Sequence, residues 1–168
     1  LSITGDAMQE LIERIRLEGT HVGGGIVKLD SFLNHQVDPA MTARMAAEFC
    51  RLFRRDAVDE VSKVVTAEVS GIPVALGVAA GFGADLIYAR KSQSAVMTGT
   101  YYVAETISRT RGTQTDLMVD RRFLSANDRV LIIDDDAFPT MKYSHCRNWL
   151  RPPQLLGRGR RMRNLGAG

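Results

Sequence analysis

The sequence predicts an α/β fold in which a parallel sheet is flanked by helices, and three observations predict it. Residues 61–67 read as a strand, 70–81 as a helix of small residues and 84–89 as a second strand, which is the order of a parallel crossover unit. Asp38-Pro39 supplies an N-cap and a first-turn proline for a helix running to Arg55, with Met41, Met45, Ala46, Phe49, Leu52 and Phe53 along one face. Val130-Leu-Ile-Ile-Asp-Asp-Asp136 takes four apolar residues straight into three carboxylates. That is the pattern of a buried parallel strand whose carboxyl end opens on an acidic site, where ligands of open α/β sheets sit.

The remaining elements follow in chain order. Residues 1–7 are expected to be a leader or upstream extension. Residues 8–18 carry Leu11, Ile12 and Ile15 at helical spacing and should form a helix ending near Gly19. Residues 101–107 and 115–120 are β-prone segments around Arg111-Gly112, the pattern of a hairpin, and Asn127-Asp128 turns the chain into the acidic strand. The expected organisation is therefore a leader at 1–7, one α/β domain at 8–136 and a divergent basic tail at 137–168.

Composition supports one domain with a real core, since 45% of the 168 residues are hydrophobic. The net charge of +3 is unevenly spread. Residues 1–136 hold 15 Lys and Arg against 19 Asp and Glu, whereas residues 137–168 hold seven basic residues and no acid. The basic character belongs to the tail. No apolar run is long enough to span a bilayer, and no amino-terminal pattern reads as a signal peptide. Cys50 and Cys146 have neither disulfide nor zinc-ligand spacing, so a cytoplasmic location is expected.

Three short segments carry residue types suited to anions or hydroxyls. Glu68-Val-Ser-Gly71 lies between a strand and the amino end of a helix, where backbone N–H groups and the helix dipole favour an anion; capping by Ser70 and close approach at Gly71 is the plainer reading. Arg90-Lys91 follows the next strand and could equally be a solvated basic pair. Asp134 and Asp135 end the acidic strand, and there the alternative is a loop that simply solvates its acids.

Read together, Lys28-Leu-Asp-Ser-Phe-Leu-Asn-His-Gln-Val-Asp-Pro39, Ala67-Glu-Val-Ser-Gly-Ile72, Tyr88-Ala-Arg-Lys91, Arg121-Arg-Phe-Leu124 and Val130-Leu-Ile-Ile-Asp-Asp135 resemble the bacterial xanthine phosphoribosyltransferases, over about residues 8–135. The first motif is specific to that group; the others are shared across the type I phosphoribosyltransferases. The resemblance implies a type I phosphoribosyltransferase-like sheet with a small hood, and purine salvage. The implied reaction transfers a phosphoribosyl group from phosphoribosyl pyrophosphate to xanthine with Mg2+, giving xanthosine monophosphate and pyrophosphate. By position it implies Asp134 and Asp135 as the catalytic acids on the ribose hydroxyls, with no direct protein ligand to the metal. Glu68, Ser70, Gly71, Arg90 and Lys91 inherit pyrophosphate binding, and Val27 and Asn34 the xanthine. Residues 92–100 resemble the mobile hood that closes over such a site, and a homodimer is implied. His35 beside the helix cap is read as structural, and Phe32 and Leu33 as core or hood packing.

After Asp136 the chain departs from that family. It reads Ala-Phe-Pro-Thr-Met-Lys-Tyr-Ser-His-Cys-Arg, with no glycine until Gly157, where the family places a Gly-containing loop for the 5′-phosphate, then a helix, a strand and a base-contacting lysine. Arg, Gly and Pro without acids suggest translation out of frame from near codon 136, and a poorly ordered, truncated end to the fold. The strand at 130–133 would then be an edge without its covering helix. This departure sets an alternative beside catalysis, namely an inactive phosphoribosyltransferase-like regulator that binds purine or phosphoribosyl pyrophosphate. Arg158, Arg160, Arg161 and Arg163 are a basic cluster, but no interleaved aromatics or groove-reading helix argues for nucleic acid.

Overall fold

The computed structural model describes residues 6–23, 26–92, 99–107 and 114–134. Asp135, the hairpin turn at Arg111-Gly112, most of the 92–100 segment, the leader up to residue 5 and the tail lie outside them.

Helix α1 (Asp6–Glu18) is followed by two short antiparallel strands, β1 (Thr20–Gly23) and β2 (Ile26–Lys28), and by a π-helical turn at Asp30–Asn34. Helix α2 (Pro39–Arg55) begins where the capping chemistry places it. The Asp38 carboxylate accepts hydrogen bonds from the N–H groups of Ala40 and Met41 at 2.9 and 3.0 Å. Met41, Met45, Ala46, Phe49 and Phe53 are buried along its inner face, as the spacing predicts, and Leu52 is half-buried at the margin. Strand β3 (Lys63–Ala67), helix α3 (Ile72–Phe82) and strand β4 (Asp85–Ala89) form the crossover unit, and Gly83 ends α3 in the left-handed conformation that glycine adopts at least cost. Strands β5 (Tyr101–Ile107) and β6 (Gln114–Asp120) form the expected antiparallel hairpin. Strand β7 (Val130–Ile132) closes the order.

The sheet runs β4-β3-β7, all parallel, with Val64 opposite both Leu86 and Leu131. The β5–β6 hairpin joins β4 through reciprocal 2.9 Å backbone hydrogen bonds between Arg90 and Met118. Helices α2 and α3 bury one face of the sheet. Their contact is close because α3 turns glycines toward α2: a Cβ on Gly77 would lie 2.6 Å from the Ala46 methyl, and one on Gly81 2.5 Å from Cys50 Sγ. The last strand corrects the expectation of an uncovered face. Leu131 and Ile133 are 3% and 2% exposed within the main core, and Val130 packs with Ala89, Val119 and Leu124 on the other side. The α2–α3 layer and the hairpin cover its two faces, while β7 stays an outer strand of the described sheet, as expected.

The amino-terminal segment is tied to α2 by charge as well as packing. Arg14 donates to Asp38 at 2.6 Å and to Glu18 at 2.8 Å, and Glu18 accepts from the Ser31 hydroxyl at 2.6 Å. The same guanidinium lies 4.4 Å from the centre of the Phe32 ring. The N–H of Met41, then Arg14, holds the Asp38 carboxyl below the ordinary carboxylate range. A carboxyl lowered by folding stabilises the native state above its unfolded pKa, and that contribution is lost as pH falls through the lowered native value. Asp38→Ala is therefore expected to lower the urea midpoint at pH 7, with the gap from the parent narrowing below about pH 4. A gap that stays constant down to pH 2 would assign the effect to packing instead.

Candidate functional site

The parallel register delivers three loops to one edge. Ala67 pairs with Ala89 at the ends of β3 and β4, while Ile133 N–H bonds to the Val65 carbonyl at 3.0 Å beyond β7. Glu68–Gly71, Arg90–Lys91 and Asp134 consequently all leave the carboxyl ends of adjacent strands, so the sheet brings these three segments to one edge.

Gly71 is the tightest point of that assembly. Its backbone is helical, with φ of −70°, so conformation does not demand glycine. Space does: a Cβ there would overlap Thr66 Oγ1 and lie 3.3 Å from Asp134 Oδ1. The 68–71 turn is thereby seated directly against Asp134. The Glu68–Val69 peptide is cis. Gly71, not Ser70, occupies the N-cap of α3, and no side chain caps it. The Ile72 N–H is taken by the Val69 carbonyl at 3.1 Å, and Pro73 has none. This helix end therefore offers an anion fewer donors than an ordinary one, so an anion held here would depend more on side chains.

The side chains available are Arg90 and Lys91. Arg90 is pinned through its backbone to Met118, and its Nε is buried without a hydrogen-bond partner, 3.8 Å from Glu68 Oε2. Glu68 Oε1 accepts the Lys91 backbone N–H at 2.6 Å. Glu68 thus faces the residues that follow β4. Among the described residues no cluster of three or more His, Cys, Asp or Glu is arranged to hold a metal ion.

The residues expected to meet a base lie in the amino-terminal segment. Asn34 closes the π-helical turn, and its Oδ1 accepts the Leu29 N–H at 2.8 Å. Because only the oxygen can accept, this bond fixes which way the amide faces. Val27 is opposite His21 on the small hairpin and partly exposed; its Cγ1 packs over Gly19, where a Cβ would come within 2.8 Å. Phe32 and Leu33 are buried, matching their reading as packing residues. Sequence reasoning missed Thr66 and Arg14. Thr66, 2% exposed, forms the floor beneath Gly71, and Arg14 locks the turn that carries Asn34. A polar residue at the last buried position of a Val-Val-Thr-Ala strand was the available signal for the first.

The arrangement defines a class: it is the type I phosphoribosyltransferase fold, with its loops at the strand ends. Adenine phosphoribosyltransferase from Saccharomyces cerevisiae matches with a TM-score of 0.52 over 74% of this chain and 70% of its own, at 15% identity. That from Rhodothermus marinus matches at 0.51 over 76% and 70%, at 21% identity. The 128 residues matched in sequence are homologous to xanthine phosphoribosyltransferases. The Deinococcus deserti enzyme is 43% identical over 76% of this chain and 65% of its own length; that of Levilactobacillus brevis has the same figures, and that of Geobacillus thermodenitrificans is 44% identical over 64% of its length. The chain thus spans about 65% of the length of these curated relatives. No protein-family model matches it. Among the described residues no helix is long and apolar enough to cross a membrane.

Proposed function

We propose that this chain acts in purine salvage, transferring the phosphoribosyl group of phosphoribosyl pyrophosphate to a nitrogen of xanthine and releasing pyrophosphate. The observation that carries the reading is the seating of the 68–71 turn against Asp134, beside Arg90 and Lys91, within a stretch 43% identical to a xanthine phosphoribosyltransferase. The bond from the anomeric carbon to pyrophosphate breaks with positive character on the ribose and negative charge on the leaving group. Asp134, with Asp135, holds the ribose hydroxyls and favours the positive charge; Arg90 and Lys91 take the negative one. Asn34, with its amide orientation set by Leu29, reads the oxopurine edge, and Val27 packs on the base.

Magnesium fits this donor set, because it is commonly held by one or two carboxylates plus substrate phosphates and needs no protein cage. Asp134 would hold the ion through its water shell and not as a direct ligand, and the ion, carried on the substrate's pyrophosphate, would neutralise charge on the leaving group. A cytoplasmic homodimer is part of the same proposal. The test is product formation from phosphoribosyl pyrophosphate, magnesium and each of xanthine, guanine and hypoxanthine, using this 168-residue chain. Xanthosine monophosphate is expected as the fastest product. A faster reaction with guanine or hypoxanthine overturns the base assignment, and no product with any base overturns the activity.

A further inference from the structure

We infer that Glu68 is a positioning residue for the pyrophosphate cradle and not one of its ligands, an inference that rests on the phosphoribosyl-transfer reading. A carboxylate repels a polyanion, so its presence among the anion-facing residues needs a separate reason. The geometry supplies one. Glu68 is fastened to the end of β4 and the two residues after it at three points: its N–H donates to the Ala89 carbonyl at 3.0 Å, its Oε1 accepts the Lys91 N–H at 2.6 Å, and its Oε2 faces Arg90 Nε at 3.8 Å. The residues joined are 23 apart in sequence, so the contact ties the loop after β3 to the loop after β4. The backbone of Arg90 is meanwhile held from the other side by Met118 at 2.9 Å in both directions. Arg90 is therefore fixed between the hairpin and Glu68, with its buried Nε lacking a hydrogen-bond partner.

Two effects of the same carboxylate then oppose each other. Its acceptor oxygens align Lys91 and Arg90, which favours an anion bound by both. Its negative charge offsets the guanidinium, which weakens that anion. Substitution separates them, because the amide of Glu68→Gln keeps an oxygen for the Lys91 N–H and removes the charge, whereas Glu68→Ala removes both.

The experiment uses the full 168-residue chain, with inorganic pyrophosphate titrated by calorimetry with and without magnesium, and hydrogen exchange at the Lys91 amide followed without ligand. Glu68→Gln is expected to keep Lys91 protected and to bind magnesium-free pyrophosphate about threefold more tightly, the scale of one partly exposed charge pair. Glu68→Ala is expected to expose the Lys91 amide and to bind about tenfold more weakly, as loosely held cations lose their shared geometry. If Gln weakens binding as much as Ala, the charge itself is needed and the positioning role is overturned. Unchanged Lys91 exchange in Glu68→Ala overturns it as well. Failure of the unsubstituted chain to bind pyrophosphate would instead strike the functional reading, and the exchange data would still decide whether Glu68 aligns the loop.

Discussion

Gly71→Ala is expected to lower both stability and the proposed phosphoribosyl transfer, although the φ and ψ at Gly71 are ones that alanine adopts freely. The added methyl overlaps Thr66 Oγ1 and sits 3.3 Å from Asp134 Oδ1 and 3.6 Å from Asp134 Cα. Thr66 is 2% exposed and β-branched, so close packing and a restricted χ1 limit how far its hydroxyl can give way. The turn must move instead. Overpacking of this kind costs about 1–3 kcal/mol, which urea denaturation will read as a lower midpoint at unchanged slope. A displacement on the order of 1 Å between the 68–71 turn and Asp134 is expected to cost about 100-fold in phosphoribosyl transfer. Thr66→Ala in the same chain opens the space and should restore most of the stability. Gly71→Ala with parental stability and rate would mean that the two loops are not seated against each other.

Phe32→Ala is expected to have the largest effect on stability. The ring is 1% exposed, belongs to the main core and carries the Arg14 guanidinium on one face. Truncating a buried aromatic costs about 3–5 kcal/mol, a large share of the 5–15 kcal/mol that holds a domain together. The loss of the Arg14 contact adds to it. The damage should also reach the base contact proposed for Asn34, because Phe32 lies in the same turn, and its carbonyl accepts the Asp38 N–H at 2.9 Å just before α2. Thermal unfolding measured beside the exposed-site control Gln36→Ala tests this. A cost for Phe32→Ala below that of the control would remove Phe32 from the core.

Legibility in the sequence tracked how local each feature is. Helix α2 was readable in full, from the Asp38 cap to the buried face at Met41, Met45, Ala46, Phe49 and Phe53, since capping and periodicity act within a few residues. The crossover unit was readable with edges shifted by one or two residues: the first strand begins at Lys63 rather than at 61, and α3 begins at Ile72 rather than at 70. The π-helical turn was not readable. It exists because Phe32 and Leu33 are drawn into the core while Asn34 bonds back to Leu29, and neither event has a local signature.

For the candidate site, residue types pointed to segments that the fold brings to one edge, but not to their relations. The motif around Glu68 reads as an anion loop, yet where its carboxylate goes depends on Lys91, which only the pairing of β3 with β4 brings near. The glycine at 71 signals close approach without saying to what; Thr66 and Asp134 emerge as its neighbours only once β7 pairs with β3. Asp135 lies outside the described residues, so its partnership with Asp134 rests on the family resemblance.

What the sequence by itself determined is which segments become helices and strands, which faces are apolar, and that acids, cations and a glycine turn occur at strand ends. Those properties are set by side-chain spacing, capping and turn chemistry over a handful of residues. Only the tertiary structure decided the strand order β4-β3-β7, the burial of Leu131 and Ile133, the seating of Gly71 on Asp134 and the attachment of Glu68 to Lys91. Parallel strands pair only through a crossover of a dozen or more residues, so each of these contacts joins residues distant in sequence and made adjacent by packing of the whole domain.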